Sequence, residues 1–123
     1  MNTFNPHASH PARAVQAWQI LVGHAMRGQT LSYEELSRLM YQKAAAGVLA
    51  GILGHVAFYC KGNELPILTA IVVGKYRGTP GEQIPLAPDD VDVERQKVFK
   101  YDWYNVYPPT EDALRSAFEN ASP

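Results

Sequence analysis

The chain carries a single cysteine, Cys60, among 123 residues. A lone thiol closes no internal disulfide and builds no multi-cysteine metal site. That usage fits a reducing compartment, so a cytoplasmic location is expected. No run approaches the ~18 consecutive apolar residues of a membrane span, and no membrane partner is expected. The first thirteen residues lack the apolar core of a secretory signal. Neither standard spacing of a glycine-rich phosphate loop occurs, which leaves nucleotide hydrolysis without support. Internal repeats and low-complexity stretches are missing as well. His24 and His55 fall on different expected helices, and two scattered histidines without a third ligand do not make a zinc site. Neither a metal nor a cofactor is expected. Glu34 and Glu35 are adjacent, so they leave a helix on different sides and form no catalytic pair. The cluster Asp89, Asp90, Asp92 and Glu94 reads as the solvated start of a helix, where acids complement the dipole.

What is present is globular. Hydrophobic residues make up 46% of the chain and charged residues 19%, values of a folded domain. A domain of this length buries roughly two thirds of its unfolded surface, enough for one core. The formal net charge of −1 conceals an asymmetry. Residues 1–81 carry seven Lys/Arg and three Asp/Glu, a net of +4; residues 82–123 carry four and nine, a net of −5. A mildly basic body permits a polyanionic partner without demanding one.

Hydrophobic spacing divides the chain into three parts. Residues 1–12, with His7, His10, Pro6 and Pro11, read as a flexible arm. Residues 13–86 read as a winged helix-turn-helix, an α+β domain of three helices followed by a hairpin. The first helix covers about residues 13–27, with Trp18, Leu21, Val22 and Ala25 on one face. Ser32 and Glu35 have capping-box spacing and start a second helix over about residues 33–41. A third helix is expected over about residues 44–59, with Val48, Leu49, Ile52, Leu53, Val56 and Tyr59 turned inward. Gly47, Ala50, Gly54 and Ala57 form a nearly side-chain-free stripe, where another helix or a ligand must come close. Residues 67–73 read as a buried strand and 83–86 as its return across a loop, the wing. Residues 87–123 read as a helical and aromatic extension. In it Asp89 caps a helix to about residue 101, and Thr110 caps a final one. Tyr101, Trp103, Tyr104 and Tyr107 are expected to turn alternately inward and pack on the domain; exposed, they would mark a protein interface.

The ordered set of segments between Ala17 and Val73 resembles the C-terminal domain of alkylguanine-DNA alkyltransferases and the alkyltransferase-like proteins. The matching pieces are Trp18-Gln19-Ile20-Leu21, Gly28-Gln29-Thr30-Leu31-Ser32-Tyr33, Ala44-Ala45-Ala46, Asn63-Glu64-Leu65-Pro66-Ile67-Leu68 and Val72-Val73. They cover a little under half the chain. The resemblance implies a winged helix that binds DNA, with Tyr33 matching the family tyrosine that presses on the backbone near a flipped nucleotide. The family's chemistry resides in a Pro-Cys-His-Arg motif, and this chain departs from it with Leu68-Thr69-Ala70-Ile71. Anchoring on the paired valines puts Thr69 at the cysteine position; anchoring on Pro66 puts Ile71 there. Neither forms a thiolate, and the activating histidine is missing. The family's helix arginine falls at or near Gly47. Cys60 lies too early to replace the nucleophile and reads as a small buried residue.

The expected function is therefore a non-enzymatic DNA-binding module engaging duplex DNA weakly and largely independently of sequence. Its contacts would be Tyr33, Gln42, Lys43, Gly47 and Lys61 around the third helix, with Lys75 and Arg77 in the wing, positions suited to phosphates. The alternative is a protein–protein interaction domain on the same scaffold.

Overall fold

A computed structural model describes residues 3–4, 8–43, 46–74 and 88–121. Among them the protein is mostly helical, with one small parallel sheet of two strands.

Helix α1 spans His10–Met26. Ser9 caps it by accepting from the Ala12 amide, and Pro11 stands in the first turn, where a missing N–H costs nothing. The helix thus begins three residues before the spacing of large apolar residues indicates, inside the expected arm. Ala14, Ala17, Trp18, Leu21, Val22 and Ala25 form its buried face. It stops at Gly28, whose φ of +67° is left-handed and whose amide donates to the Ala25 carbonyl, a glycine termination.

Strand β1, Leu31–Ser32, leads directly into α2, Tyr33–Tyr41. The capping box forms in full: the Glu35 amide donates to Ser32 Oγ at 3.0 Å, and the Ser32 amide donates to Glu35 Oε1 at 3.1 Å. Helix α2 ends on Gln42, a non-glycine residue at φ 63°.

The third helix differs from expectation. A 3-10 turn, Ala46–Val48, comes first, and α3 runs Leu49–Gly62. Gly47, which gains little from helix, sits in the tighter turn. Between its ends α3 is the central element of the core, with Ile52, Leu53, Gly54, Val56, Ala57 and Cys60 buried. It packs against α1 and, on another side, α5. Of the small-residue stripe, Gly54 and Ala57 are buried, and a close approach also falls at Gly51. A β-carbon there would stand 2.7 Å from His10 Nδ1, whereas at Gly47 it would meet nothing.

The apolar run 67–73 is also not one strand. Leu68–Ile71 is a buried 3-10 turn, and only Val72–Val73 forms a strand, β2. An apolar run this short cannot distinguish a buried strand from another buried conformation. Here side chains from α4 (Val91–Lys100) take the backbone groups a ladder would have used. The Ile67 amide donates to Glu94 Oε2 at 2.7 Å, and Arg95 Nε donates to the Ala70 carbonyl at 2.8 Å. Strand β2 pairs in parallel with β1, Leu31 opposite Val72 and Ser32 opposite Val73. The expected return strand at 83–86 lies outside the described residues.

A 3-10 turn, Pro88–Asp90, precedes α4, so Asp89 is not its cap, and Asp90 makes no side-chain capping bond. The final helix α5, Glu111–Asn120, is capped by Thr110 as the sequence indicates, its Oγ1 accepting from the Ala113 amide at 3.0 Å. Trp103 enters the core, donating from Nε1 to the Val98 carbonyl at 2.8 Å and meeting Trp18 edge to face at 5.7 Å. Val98, Trp103 and Leu114 belong to the same hydrophobic cluster as α1 and α3, so the extension shares the core of the preceding helices. The other three aromatics of that stretch behave differently. Tyr104 and Tyr107 are 68% and 93% exposed, and Tyr101 is partly so, lying tilted over Trp103.

Candidate nucleic-acid interface

The residues anticipated as DNA contacts separate into three places. Tyr33 opens α2 and is half-buried against the core. The register of the sheet sets Ser32, its chain neighbour, opposite Val73. Lys75 and Arg77 lie outside the described residues. In sequence, Lys75 follows Val73 by two positions, a reach of no more than about 7 Å of extended chain.

Gln42 and Lys43 stand exposed at the opposite end of α2, about 13 Å of helix from Tyr33. Exposed Gly47, Val48 and Ala50 follow at the start of α3. Gln42 and Lys43 border a surface pocket of about 460 Å³ shared with Phe4, Arg13, Gln16, Leu39, Met40 and Tyr41. Arg13, one of the basic residues of the N-terminal body, is buried here and serves structure. It donates to Gln16 Oε1 at 2.7 Å and to the Met40 carbonyl at 3.2 Å, and lies 4.3 Å from the Tyr41 ring centre.

Lys61 is exposed too, but near the far end of α3, roughly 18 Å along the helix from its first residue. It borders a different hollow, with Phe58, Asn63, Ala117 and Asn120. The fold does not join Lys61 to the Gln42–Lys43 group. Nor does α3 offer a face to a groove along its length, because only Ala50, Lys61 and Gly62 of it are exposed. Among the described residues, the third helix presents its entry, where Gln42, Lys43, Gly47, Val48 and Ala50 are exposed.

Two carboxylates are exposed in the first turn of α2. Glu34 pairs with Arg38 at 2.9 Å in the exposed i,i+4 arrangement, and Glu35 is engaged in the cap. Both temper the attraction of this surface for a polyanion.

Thr69, at the position of the family nucleophile when the valines are the anchor, is fully buried in the 3-10 turn. Its hydroxyl finds no hydrogen-bond partner among the described residues. Ile71, the position given by the other anchor, is fully buried as well. Cys60 is free and buried, and burial pushes its thiol up to about 12, far from the thiolate form a nucleophile needs. Among the described residues no group of three or more His, Cys, Asp or Glu is placed to hold a metal ion, and no helix is long and apolar enough to cross a membrane. The acidic residues near α4 separate in role: Glu94 turns inward to hold Ile67, and Asp92 pairs with Arg95 at its exposed end.

The sequence reading missed the histidine at the start of α1. His10 reaches the surface of α3 near His55, their ring centres 6.4 Å apart. Ser9 followed by Pro11 is the helix-start signature that could have placed it. No known protein family, characterised protein or solved structure matches the chain.

Proposed function

We propose that this chain is a non-catalytic DNA-binding module, a winged helix resembling the alkyltransferase-like proteins, which holds duplex DNA through α2, the entry to α3 and the segment after β2. The observation that carries the reading is the parallel pairing of β1 with β2. It sets the Tyr33 end of α2 beside Val72 and Val73, the described residues that precede Lys75 and Arg77 in sequence, while Gln42 and Lys43 occupy the other end. The two ends are about 13 Å apart, close to the ~12 Å width of a major groove, so cations at both can meet phosphates on its two sides. With few cations and two carboxylates between them, binding is weak and shape-driven rather than sequence-reading. The absence of chemistry is supported by the buried Thr69 and Ile71 and by the protonated, buried Cys60.

The test is binding of the whole chain to labelled duplexes of unrelated sequence between about 50 and about 200 mM salt. Three phosphate contacts predict a slope of log K against log salt near −2.7, and replacing Lys75 and Arg77 together by glutamine should flatten it by about 1.8 for every sequence. A double variant that binds with unchanged slope, or a wild-type chain that leaves duplex DNA free at the lowest salt, would refute the proposal. A second reading, a protein-interaction domain, is favoured by one observation: the exposed Tyr104 and Tyr107, which border a shallow hollow with Asn105, Val106 and Pro108.

A further inference from the structure

Helix α5 is held on α3 by an aromatic stack that contains a titratable ring. His55 lies in the middle of α3 and is 6% exposed. Its Nδ1 stands 2.7 Å from the Gly51 carbonyl, which fits a neutral imidazole protonated at Nδ1. The ring lies flat on Phe118 of α5, centroids 4.1 Å apart and planes 5° from parallel. Phe58, one turn on in α3, meets the same phenyl ring edge to face at 6.1 Å.

The charged and titratable surroundings of His55 come from both neighbouring helices. From α1 comes His10, whose ring lies against α3 because Gly51 has no side chain. From α5 come Arg115 and Glu119. Arg115 is already engaged with Glu111 at 2.8 Å and Asp112 at 2.6 Å. Glu119 is the one carboxylate among these groups that favours a charged His55. Contact with the Phe118 face also favours a cation, but by little; removal from water opposes it more strongly.

We propose that the His55–Phe118 stack is a proton-operated latch, with neutral His55 holding α5 against α3 and protonated His55 letting it go. The connection permits this: α5 follows the stretch 104–110, most of which is exposed, so the helix can loosen, with Leu114 leaving the shared core, while Trp103 and α4 stay in place. Release uncovers the apolar side of α3 around Phe58. Burial lowers the His55 pKa from its usual 6.5; the hydrogen bond to the Gly51 carbonyl opposes it, and the neighbouring His10 and Arg115 add to the lowering. A folded-state value below the unfolded one means that the open or unfolded form binds more protons between the two values. The latch is therefore fully closed above about pH 6.5 and weakens as pH falls through the lowered value.

The experiment follows amide exchange of α5 in the whole chain at about pH 7.5 and about pH 5, corrected for the intrinsic exchange rate. We expect α5 amides to lose about tenfold of their protection at the lower pH, with α1 and α4 unchanged. His55→Phe, which keeps the stack without the titration, should abolish the acid response. Because that variant could fold poorly, two further measurements stand beside it. The wild-type His55 ring resonance should titrate below 6.5, and Arg115→Gln, which removes a like charge, should move that resonance to higher pH. Equal α5 protection at both pH values, loosening shared equally by α1 and α4, a midpoint at or above 6.5, or an acid response that persists in His55→Phe would each overturn the latch.

Discussion

Replacing Thr69 by valine should make the protein more stable. Thr69 is fully buried inside the 3-10 turn, and its Oγ1 has no hydrogen-bond partner among the described residues. A buried hydroxyl left unbonded costs about 1–3 kcal/mol relative to its hydrated state. Valine keeps the β-branched shape and exchanges the hydroxyl for a methyl group, which gains from burial. The added bulk of that methyl offsets part of the gain. The net is a stabilisation of about 1 kcal/mol, or a rise in Tm of about 4 °C for a domain of this size. Thr69→Ser provides the contrast. It retains the hydroxyl and removes a methyl group, and should lose about 1 kcal/mol. Thermal and denaturant unfolding of the three proteins, at a pH well above the His55 transition, measure both differences. A valine variant less stable than wild type by 1 kcal/mol or more would mean that the hydroxyl is bonded, and the argument from its isolation would be wrong.

Three further outcomes follow from the structure. Cys60, with its thiol pushed up to about 12, should react with a thiol reagent at mildly alkaline pH only as fast as the protein opens; incubation with alkylated-guanine duplex should add no mass to the chain, and a stoichiometric adduct on any residue would contradict the non-catalytic assignment. Trp103 and Tyr107 stand four positions apart in surroundings of opposite character, the one buried and the other exposed: Trp103→Ala should cost about 3–5 kcal/mol and Tyr107→Ala no more than about 0.5 kcal/mol, differences that chemical unfolding resolves, and comparable losses at both sites would disprove the packing described for this stretch.

Local signals were the most legible part of the fold. The Ser32/Glu35 box located α2 to the residue, and Thr110 located the start of α5, because caps depend on neighbours within one turn. Signals that depended on distant partners were read less well. Nothing near Ile67 in sequence announces that Glu94 and Arg95 will take its neighbours' backbone groups, so an apolar run became a strand on paper and a 3-10 turn in space. The third helix was placed five residues early because alanines at 44–46 raise helix propensity while the left-handed Gln42 is invisible in composition. The residues anticipated as contacts do not come together as one group among the described residues. Lys61 belongs to the other end of α3, and Arg13, counted among the basic residues of the body, is committed to Met40 and Tyr41.

The two-residue ladder between β1 and β2 also bears on how the chain reaches its folded state. Leu31 and Val72 are 41 positions apart, and the ladder holds only two residue pairs, too little to repay closing so long a loop by itself. It is expected to form after α3 and the turn at Leu68–Ile71 have docked on α1. Substitutions that weaken it, such as Val72→Ala, should leave the refolding rate nearly untouched and accelerate unfolding, with a φ-value near 0. The Tyr33 end of α2 and the segment leading to Lys75 would then be the last surfaces to come together on folding and among the first to part.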